Sequence, residues 1–311
     1  MSGPVTAIPL RPDGMPLFEL PAELAIDTDV ARRVIGEFIR AQLRQAGFER
    51  VVLGLSGGID SGLVAFLVAE AIGAARLHCV LPPYRTSADA SRADAETIVA
   101  ALGCSSELIP ISPMVDGYFG IPGAPGAAVA GSGSGDLEAS PLRRGNFAAR
   151  MRMAVLYDRS VTWGGLVVGT GNKTESLIGY TTLFGDSACA FNPIGDLYKS
   201  QVRQLALAIG VPEAVIAKAP SADLWPGQTD EGEAGFSYPL LDRLLFWRID
   251  KRRSVDEVVA LGFDPELVAR IDRMVAGAEF KRQVPPVAKL GPRTAGVDYL
   301  YPRRRPGSVR P

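Results

Sequence analysis

The sequence has few of the residues that build soft-metal centres. Its 311 residues include three cysteines, at positions 79, 104 and 189, and a single histidine, His78. The cysteines show no C-x-x-C spacing and there is no histidine cluster, so the pattern argues against such a centre. This cysteine usage is typical of a reducing compartment, and we expect a cytoplasmic protein.

Excess charge and long apolar runs are also lacking. Lys and Arg total 33 against 34 Asp and Glu, a formal net charge of −1, so the chain has no overall attraction for nucleic acid or anionic lipid. The longest apolar run, near 63–72, is far shorter than the ~20 residues that span a bilayer. The N-terminus has no signal-peptide pattern. We expect no nucleic-acid partner and no membrane association.

What is present is a globular composition with alternating elements. Hydrophobic residues make up 47% and charged residues 22% of the chain, which excludes a mostly disordered protein. The predicted helices cover 27–47, 61–72, 88–102, 143–163 and 196–209, and the predicted strands cover 51–55, 77–81, 107–111 and 166–168. The alternation predicts an α/β fold with a doubly wound parallel sheet flanked by helices. Residues 212–280 are predicted to add mostly helices.

Three segments lie outside this pattern. Residues 1–26 form a proline-rich leader, and 120–141 are rich in Gly, Ala, Ser and Pro, which predicts a mobile surface loop. Residues 291–311 carry several arginines among prolines. This segment is interpreted as a solvated basic tail, with folding over a phosphate-rich ligand as the alternative. The single folded domain is thus predicted to cover 27–290.

The strongest local motif follows the first predicted strand and precedes a helix. Glycines allow close approach of backbone N–H groups to an anion, serine hydroxyls add donors, and the helix N-terminus favours negative charge. Asp60 would repel a bare phosphate, so a divalent cation is expected between the two. A simple strand-to-helix turn is the alternative. The predicted phosphate site comprises Gly54, Leu55, Ser56, Gly57, Gly58, Ile59, Asp60 and Ser61.

The motif is neither a Walker A loop nor a dinucleotide fingerprint. SGGIDS resembles the loop of the ATP pyrophosphatase group, which includes NAD, GMP and asparagine synthetases and several tRNA-modifying enzymes. From about Val30 to Lys289 the sequence resembles the NAD synthetase family in its ammonia-utilising form. The stretches that carry this resemblance are LGLSGGIDS, NFAARMRMAVLYDRS, LVVGTGNKTESLIGYTTLFGD, PIGDLYKSQVRQLA, APSADLWPGQTDEGEAGFSY and FKRQVPP.

The resemblance implies a fold of the adenine nucleotide alpha hydrolase type and a reaction. The nicotinate carboxylate of deamido-NAD attacks the α-phosphorus of ATP, pyrophosphate leaves, and ammonia displaces AMP. Asp60 and Glu175 match the carboxylates that hold Mg²⁺. The positions that match further ATP contacts are Thr170, Lys199 and Ser221. The family often has an ATP-contacting arginine where this chain has Val80, and Arg85 is proposed to supply that charge instead. Ordinary alternatives are helix capping for Glu175 and Ser221, and a solvated helix lysine for Lys199.

For deamido-NAD, the resemblance implies contacts from Arg150, Asp186 and Lys281, with Lys199 and Asp186 as the catalytic residues. Arg152 points to a different helix face from Arg150 and is interpreted as structural or interfacial. A homodimer with deamido-NAD near its interface is also implied. The chain departs from the family's usual residues at Leu183, Ala190, Val80 and Phe280, so details of dinucleotide recognition are expected to differ.

Ammonia, rather than glutamine, is the expected nitrogen donor. Roughly 25 residues precede the first core helix, fewer than the 50 or more of a glutaminase domain. Cys79 and Cys104 are interpreted as small buried hydrophobes, and Cys189 is expected near the pocket but has no histidine partner. A separate glutaminase could supply the ammonia. Three alternatives stay open: an amidoligase for another acceptor, a regulatory module that binds nucleotide without catalysis, and a tRNA-modifying relative, against which the near-zero net charge argues.

Overall fold

The structure, a computed structural model, describes residues 7–11, 13–120, 140–219 and 235–294. Most of the predicted loop at 120–141 and of the basic tail at 291–311 lies outside these residues, and so does Ser221. These three predictions therefore remain predictions. Within the part of the chain that the structure describes, no helix combines the length and apolarity needed to cross a membrane.

The centre of the fold is a four-stranded parallel sheet. Its strands are β1 (Val51–Gly54), β2 (Leu77–Leu81), β3 (Ser105–Leu108) and β4 (Leu166–Val168). The spatial order is β3-β2-β1-β4. In the register, Val51 lies opposite both Leu77 and Leu166, and His78 lies opposite Ser105. The predicted parallel sheet is confirmed.

Helices cover both faces of the sheet. One face packs against α1 (Thr28–Ala46), α2 (Ile59–Ile72), α3 (Asp89–Leu102), α7 (Lys199–Ile209) and α8 (Glu213–Ala217). The other face packs against α4 (Ser112–Tyr118) and α5 (Pro141–Trp163). The doubly wound arrangement is therefore confirmed.

Side chains of the central strand alternate between two apolar cores. Val51 and Leu53 belong to the core shared with α1, α2 and α7, and Val52 belongs to the core under α4 and α5. All three are fully buried. A strand covered on both faces needs an unbroken run of apolar residues, which explains why VVLGL shows no polar alternation.

Most predicted boundaries agree with the structure. Asp27 caps α1 by accepting hydrogen bonds from the N–H groups of Asp29 and Val30, and Gly47 ends this helix with a φ of 74°. Two boundaries were wrong. The strand predicted at 107–111 covers Ser105–Leu108 and is exposed, because it is an edge strand, and the apolar residues that suggested 107–111 begin near its end. The helix predicted from 196 begins at Lys199.

The C-terminal residues add a second apolar core. It is built by α6 (Lys173–Ile178), α9 (Tyr238–Leu245), α10 (Val255–Ala260) and α11 (Pro265–Gly277), with a π-helical turn at Phe246–Asp250. The buried residues include Ile178, Tyr198 and Leu244. This core extends to the start of α7, so the C-terminal helices support elements that follow the sheet.

The strand order places a crevice beside β1. The chain passes from β1 through β2 to β3 in one direction, and then returns by α4 and α5 to β4 on the other side of β1. The connection from β1 to β2 runs through α2 on one face of the sheet, and the connection from β3 to β4 runs through α4 and α5 on the other face. In open parallel sheets, ligands bind at such a switch point, beyond the carboxyl ends of the strands. Residues 55–58 and 169–172 meet there.

Candidate active site

A cavity of about 970 Å³ opens at this crevice. Ser56, Asp60 and Ser61 line it from the β1 side, and Thr170 and Glu175 line it from the β4 side. The cavity brings together most of the predicted site residues, which are Gly54, Leu55, Ser56, Gly58, Ile59, Asp60, Ser61, Arg85, Thr170, Glu175, Asp186, Lys199 and Lys281.

The SGGIDS loop turns sharply at Gly57. The φ of this glycine is +76°, and a Cβ atom there would lie 1.9 Å from the backbone carbonyl oxygen of Ser91. Only glycine fits, because a side chain would be strained and would collide with α3. Gly57 is buried and does not line the cavity. Its role is thus to hold the loop against α3.

The serines of the loop hold it closed from inside. The Oγ atoms of Ser56 and Ser61 lie 3.1 Å apart, and the Ser61 hydroxyl donates to the carbonyl of Gly58 over 3.1 Å. The N–H of Gly58 donates to Ser56 Oγ over 3.2 Å. Gly58 precedes α2 and has no side chain with which to cap it. The helix N-terminus therefore directs its N–H groups and its positive dipole end at the cavity.

Lys199 joins the two carboxylates that were predicted to hold a metal. Its Nζ atom lies 2.5 Å from Asp60 Oδ2 and 3.0 Å from Glu175 Oε1. The lysine is 2% exposed and its Nζ also lies 5.1 Å from the centre of the Tyr238 ring. Lys199 is therefore a buried cation at the meeting point of three elements, so the alternative of a solvated helix lysine was wrong.

Electrostatics keep this lysine charged. Burial disfavours the ammonium form, but the nearby carboxylates of Asp60 and Glu175 outweigh it, and the pKa of Lys199 is raised above its ordinary value. The group is therefore an ammonium ion throughout the physiological pH range.

Asn172 is a site residue that the sequence reasoning missed. Its side chain is fully buried, donates from Nδ2 to Asp60 Oδ1 over 2.9 Å, and accepts the Glu175 N–H at Oδ1 over 3.0 Å. It caps α6 and orients the Asp60 carboxylate at the same time. The signal was available, because an asparagine directly before a helix is a common N-cap.

Asp242 is a second missed residue. It is fully buried on α9 and accepts hydrogen bonds from Thr174 Oγ1 over 2.6 Å and from Ser200 N and Oγ, each over 2.7 Å. Burial raises the pKa of the Asp242 carboxyl, and the bonds from Thr174 and Ser200 oppose that shift. A lone aspartate inside the apolar sequence YPLLDRLL was the only sequence signal.

The glycines around Thr170 have a packing role. A Cβ atom at Gly169 would lie 2.6 Å from the Sγ atom of Cys189, whereas at Gly171 it would meet only Asn192, at 3.7 Å. Gly169 therefore allows close packing against Cys189, and packing does not require a glycine at position 171. Thr170 itself lines the cavity.

Arg85 reaches the cavity from the loop after β2. Its Nε atom lies 3.6 Å from Asp116 Oδ1, and the guanidinium lies 5.8 Å from the centre of the Tyr84 ring. The side chain is 44% exposed. Val80, at the departure from the family pattern, is fully buried in the core under α4 and α5.

Two of the three residues predicted for deamido-NAD, Asp186 and Lys281, line the cavity. Asp186 accepts from Thr181 Oγ1 over 2.6 Å and from Thr182 N over 2.7 Å, so both carboxylate oxygens hold the loop after α6. Lys281 donates to the carbonyls of Gly179 and Thr181 over 2.7 and 2.8 Å. The two side chains therefore fix one turn of backbone that lines the cavity.

The two arginines of α5 behave differently. Arg150 donates from Nε and Nη2 to the carbonyl of Leu183 and does not line the cavity of the single chain. Arg152 lines the cavity and donates to the carbonyl of Pro82 over 3.2 Å. The prediction that they occupy different faces is confirmed, but the structure places Arg152 against the cavity.

Cys79 and Cys104 occupy the buried positions that were expected, and Cys189 lies near the cavity as expected. Cys79 and Cys104 are buried, with Sγ atoms 3.7 Å apart. Cys189 is half-buried near the cavity. Of the other departures from the family pattern, Phe280 is exposed, and Ala190 pairs through its N–H with the carbonyl of Val167.

Asp60 and Glu175 are suited to a cation that is shared with a substrate, rather than to one held by protein ligands alone. Within the described ranges, no group of three or more His, Cys, Asp or Glu side chains could hold a metal ion. Asp60 and Glu175 supply two hard oxygen ligands facing one point. Mg²⁺ is commonly held in this way, by one or two carboxylates together with substrate phosphates and water.

A parallel α/β sheet with a glycine-rich loop and a helix N-terminus at its switch point defines the class: a nucleotide-binding α/β protein. The solved structures that it resembles refine this. An NH3-dependent NAD synthetase from Campylobacter jejuni, in complex with nitrate, matches with a TM-score of 0.69 at 32% identity, over 85% of this chain and 100% of that one. An NMN synthetase from Francisella tularensis matches with a TM-score of 0.71 at 26% identity, over 85% and 99%.

The sequence comparisons identify the family. The model of the NAD synthase family matches residues 31–285. An NH(3)-dependent NAD(+) synthetase from Trichlorobacter lovleyi is 47% identical over 282 residues, which cover 91% of this chain and 98% of that protein. The chain belongs to the NAD synthase family and has its adenine nucleotide alpha hydrolase-like fold.

Proposed function

We infer that this protein is an ammonia-dependent NAD synthetase. It catalyses the ATP-dependent amidation of deamido-NAD by ammonia, with release of AMP and pyrophosphate. Family membership over 31–285 supports this activity. The structural observation that carries it is the contact of Lys199 Nζ with both Asp60 and Glu175 beside the SGGIDS loop. It gathers in one cavity a cation suited to ATP phosphates and two carboxylates suited to the Mg²⁺ that accompanies them.

The chemistry explains why a phosphate site is needed for amidation. A free carboxylate is a poor acyl donor, because its leaving group would be oxide. Attack of the nicotinate carboxylate on the α-phosphorus of ATP expels pyrophosphate and gives a mixed anhydride with AMP, and ammonia then displaces AMP. Negative charge builds up on the departing pyrophosphate, so pre-placed cations and N–H donors lower the barrier.

The residues of the loop and of α7 are assigned to ATP. The N–H groups in the first turn of α2 bind phosphate oxygens, and Lys199 contributes a compact positive charge. Thr170 and Arg85 contribute further contacts from the cavity wall. Ser221 is assigned to phosphate by the resemblance alone.

Asp60 and Glu175 would hold Mg²⁺ on the phosphates. The fit rests on the donor set, since two carboxylates converge on one cationic group within 3.0 Å. The ion would supply charge stabilisation for the leaving pyrophosphate. Asn172 keeps the Asp60 carboxylate oriented toward this point.

Asp186, Lys281 and Arg150 are assigned to deamido-NAD. Asp186 and Lys281 support this by lining the same cavity. We propose that the protein is a cytoplasmic homodimer. Arg150 is therefore assigned to a surface that a second copy of the chain completes. Sedimentation velocity at several protein concentrations tests the dimer, and a monomer at all of them would contradict it.

The activity is tested with purified protein, ATP, MgCl2 and ammonium. Deamido-NAD is compared with nicotinate mononucleotide, XMP and aspartate as acceptors, and products are separated by chromatography. We expect NAD, AMP and pyrophosphate in equal amounts, from deamido-NAD only. ADP as the cleavage product, or preference for another acceptor, would contradict the proposal, and ATP binding without AMP would indicate a regulatory module.

The nitrogen donor is tested in the same assay. We expect ammonium to support turnover and glutamine alone to support none. Equal rates with the two donors would overturn the assignment of ammonia. A glutaminase added in trans, with glutamine, is expected to restore turnover by releasing free ammonia.

A further inference from the structure

The carboxylate of Asp242 lies outside the cavity but is hydrogen-bonded to α6 and α7, the two helices that carry Glu175 and Lys199. Asp242 is on α9 and is fully buried, and it does not line the cavity. One of its oxygens accepts from Thr174 Oγ1, and the other accepts from both N and Oγ of Ser200. A buried carboxylate is costly unless its oxygens are hydrogen-bonded, and here both are.

Each donor is the direct neighbour of a site residue. Thr174 precedes Glu175 near the start of α6, and Ser200 follows Lys199 at the start of α7. Thr174 Oγ1 also accepts the backbone N–H of Lys199 over 3.0 Å. This second contact settles the direction of the hydroxyl, which receives from Lys199 and donates to Asp242. The three elements are thus linked through a closed set of hydrogen bonds.

The charge of Asp242 suits this position. Ser200 lies in the first turn of α7, where backbone N–H groups have no partner inside the helix and where negative charge is favoured. The carboxylate therefore holds the end of α7 from which the Lys199 side chain leaves. A shift of this helix end would move Nζ away from Asp60, from which it is 2.5 Å distant.

We propose that Asp242 is a positioning residue that holds the side chains of Glu175 and Lys199 beside Asp60, in the arrangement that the reaction with ATP needs. The proposal rests on the proposed function for its kinetic consequence. Asp242 acts through Thr174 and Ser200 and touches neither substrate nor metal. Outer partners of this kind commonly change affinity or activity by 10–100-fold when they are altered.

The test compares four variants. Asp242→Asn keeps the shape but replaces one accepting oxygen by a donor, and Thr174→Val removes the hydroxyl while Thr174→Ser retains it. Val258→Ala is the matched control, because Val258 is fully buried in the same C-terminal core and has no bond to α6 or α7. The measurements are kcat, KM for ATP with Mg²⁺ in excess, Tm, and crystal structures of the variants.

We expect Asp242→Asn and Thr174→Val to lower kcat/KM for ATP by about 10–100-fold, and Thr174→Ser to restore it to within about threefold of the unaltered protein. Val258→Ala is expected to lower Tm while leaving kcat and KM near their original values. In the crystal structures, Lys199 Nζ should move away from Asp60 in the first two variants and stay in place in the other two.

Two results would overturn the proposal: unchanged kinetics with an unchanged Lys199 position in Asp242→Asn, or equal losses in Thr174→Ser and Thr174→Val. If Asp242→Asn does not fold, the two Thr174 variants decide. If the unaltered protein makes no NAD, the proposed function fails, and the position of Lys199 in the variant structures still decides the role of Asp242.

Discussion

Replacing Gly57 by alanine should separate the cost of an unusual backbone angle from the cost of moving the phosphate loop. Alanine at a φ of +76° costs about 1–2 kcal/mol. Its Cβ atom would also lie 1.9 Å from Ser91 O, so the loop and α3 must separate by about 1.5 Å to reach ordinary contact. Overpacking of this kind costs roughly a further 1–3 kcal/mol.

Gly103→Ala provides the matched control. Gly103 ends α3 at a φ of +62°, and a Cβ atom there would meet nothing within 4 Å. It therefore introduces only the backbone strain, about 1–2 kcal/mol. Both proteins should fold, because domains are stable by about 5–15 kcal/mol.

The assay combines urea unfolding with release of pyrophosphate from ATP and deamido-NAD. We expect Gly57→Ala to lose about 2–5 kcal/mol of unfolding free energy and about a hundredfold in kcat/KM, since a displacement near 1 Å has that effect on a positioned reaction. Gly103→Ala should keep kcat/KM within about twofold. Full activity in Gly57→Ala would refute the view that contact with α3 sets the position of the loop.

Two further predictions concern charged groups. Lys199→Met should lower the rate about a hundredfold or more. Added Mg²⁺ should also raise the Tm of this variant by more than it raises the Tm of the unaltered protein, because Asp60 and Glu175 then face each other without a cation. Lys173→Met is the control, since Lys173 also contacts two carboxylates but lies outside the cavity, and a Mg²⁺ effect of equal size in both variants would contradict this. Burial lowers the pKa of His78, which stacks on Trp163. The contribution of the neutral His78 ring to stability is therefore fully present above about pH 6.5. It declines as pH falls toward the lowered pKa, by at most about 1.4 kcal/mol per pH unit. His78→Gln should reduce the loss of unfolding free energy between pH 7.5 and 5.5, and an unchanged loss would show that other groups cause it.

Local signals in the sequence predicted those elements whose ends are set locally. Asp27 and Gly47 bound α1 as expected, because a cap depends on the few residues around it. The edge strand β3 was placed too late along the chain, since its residues are exposed and its apolar neighbours, including Ile111, are buried beyond the strand. The apolar pattern at 107–111 indicates which residues are buried, and these are not the residues that pair in the strand.

The sequence predicted which residues form the site better than it predicted how those residues contact one another. The pattern of strand, glycine loop and helix predicted the phosphate loop with Asp60, and the family resemblance added Glu175 and Lys199. Asn172 and Asp242 were missed because their roles depend on partners 112 and 42 residues away along the chain. The cavity position of Arg152 depends on how α5 packs beside the sheet, which helical spacing alone does not specify.

The central position of β1 also has a consequence for synthesis of the protein. The two halves of the nucleotide crevice are encoded by segments more than a hundred residues apart, and β4 is one of the last strands to leave the ribosome. A growing or prematurely terminated chain that ends before Leu166 has the glycine loop but lacks its opposite wall. Such a chain lacks the part of the cavity lining that Thr170, Glu175 and Lys199 supply, so the complete cavity forms only after β4 has docked beside β1.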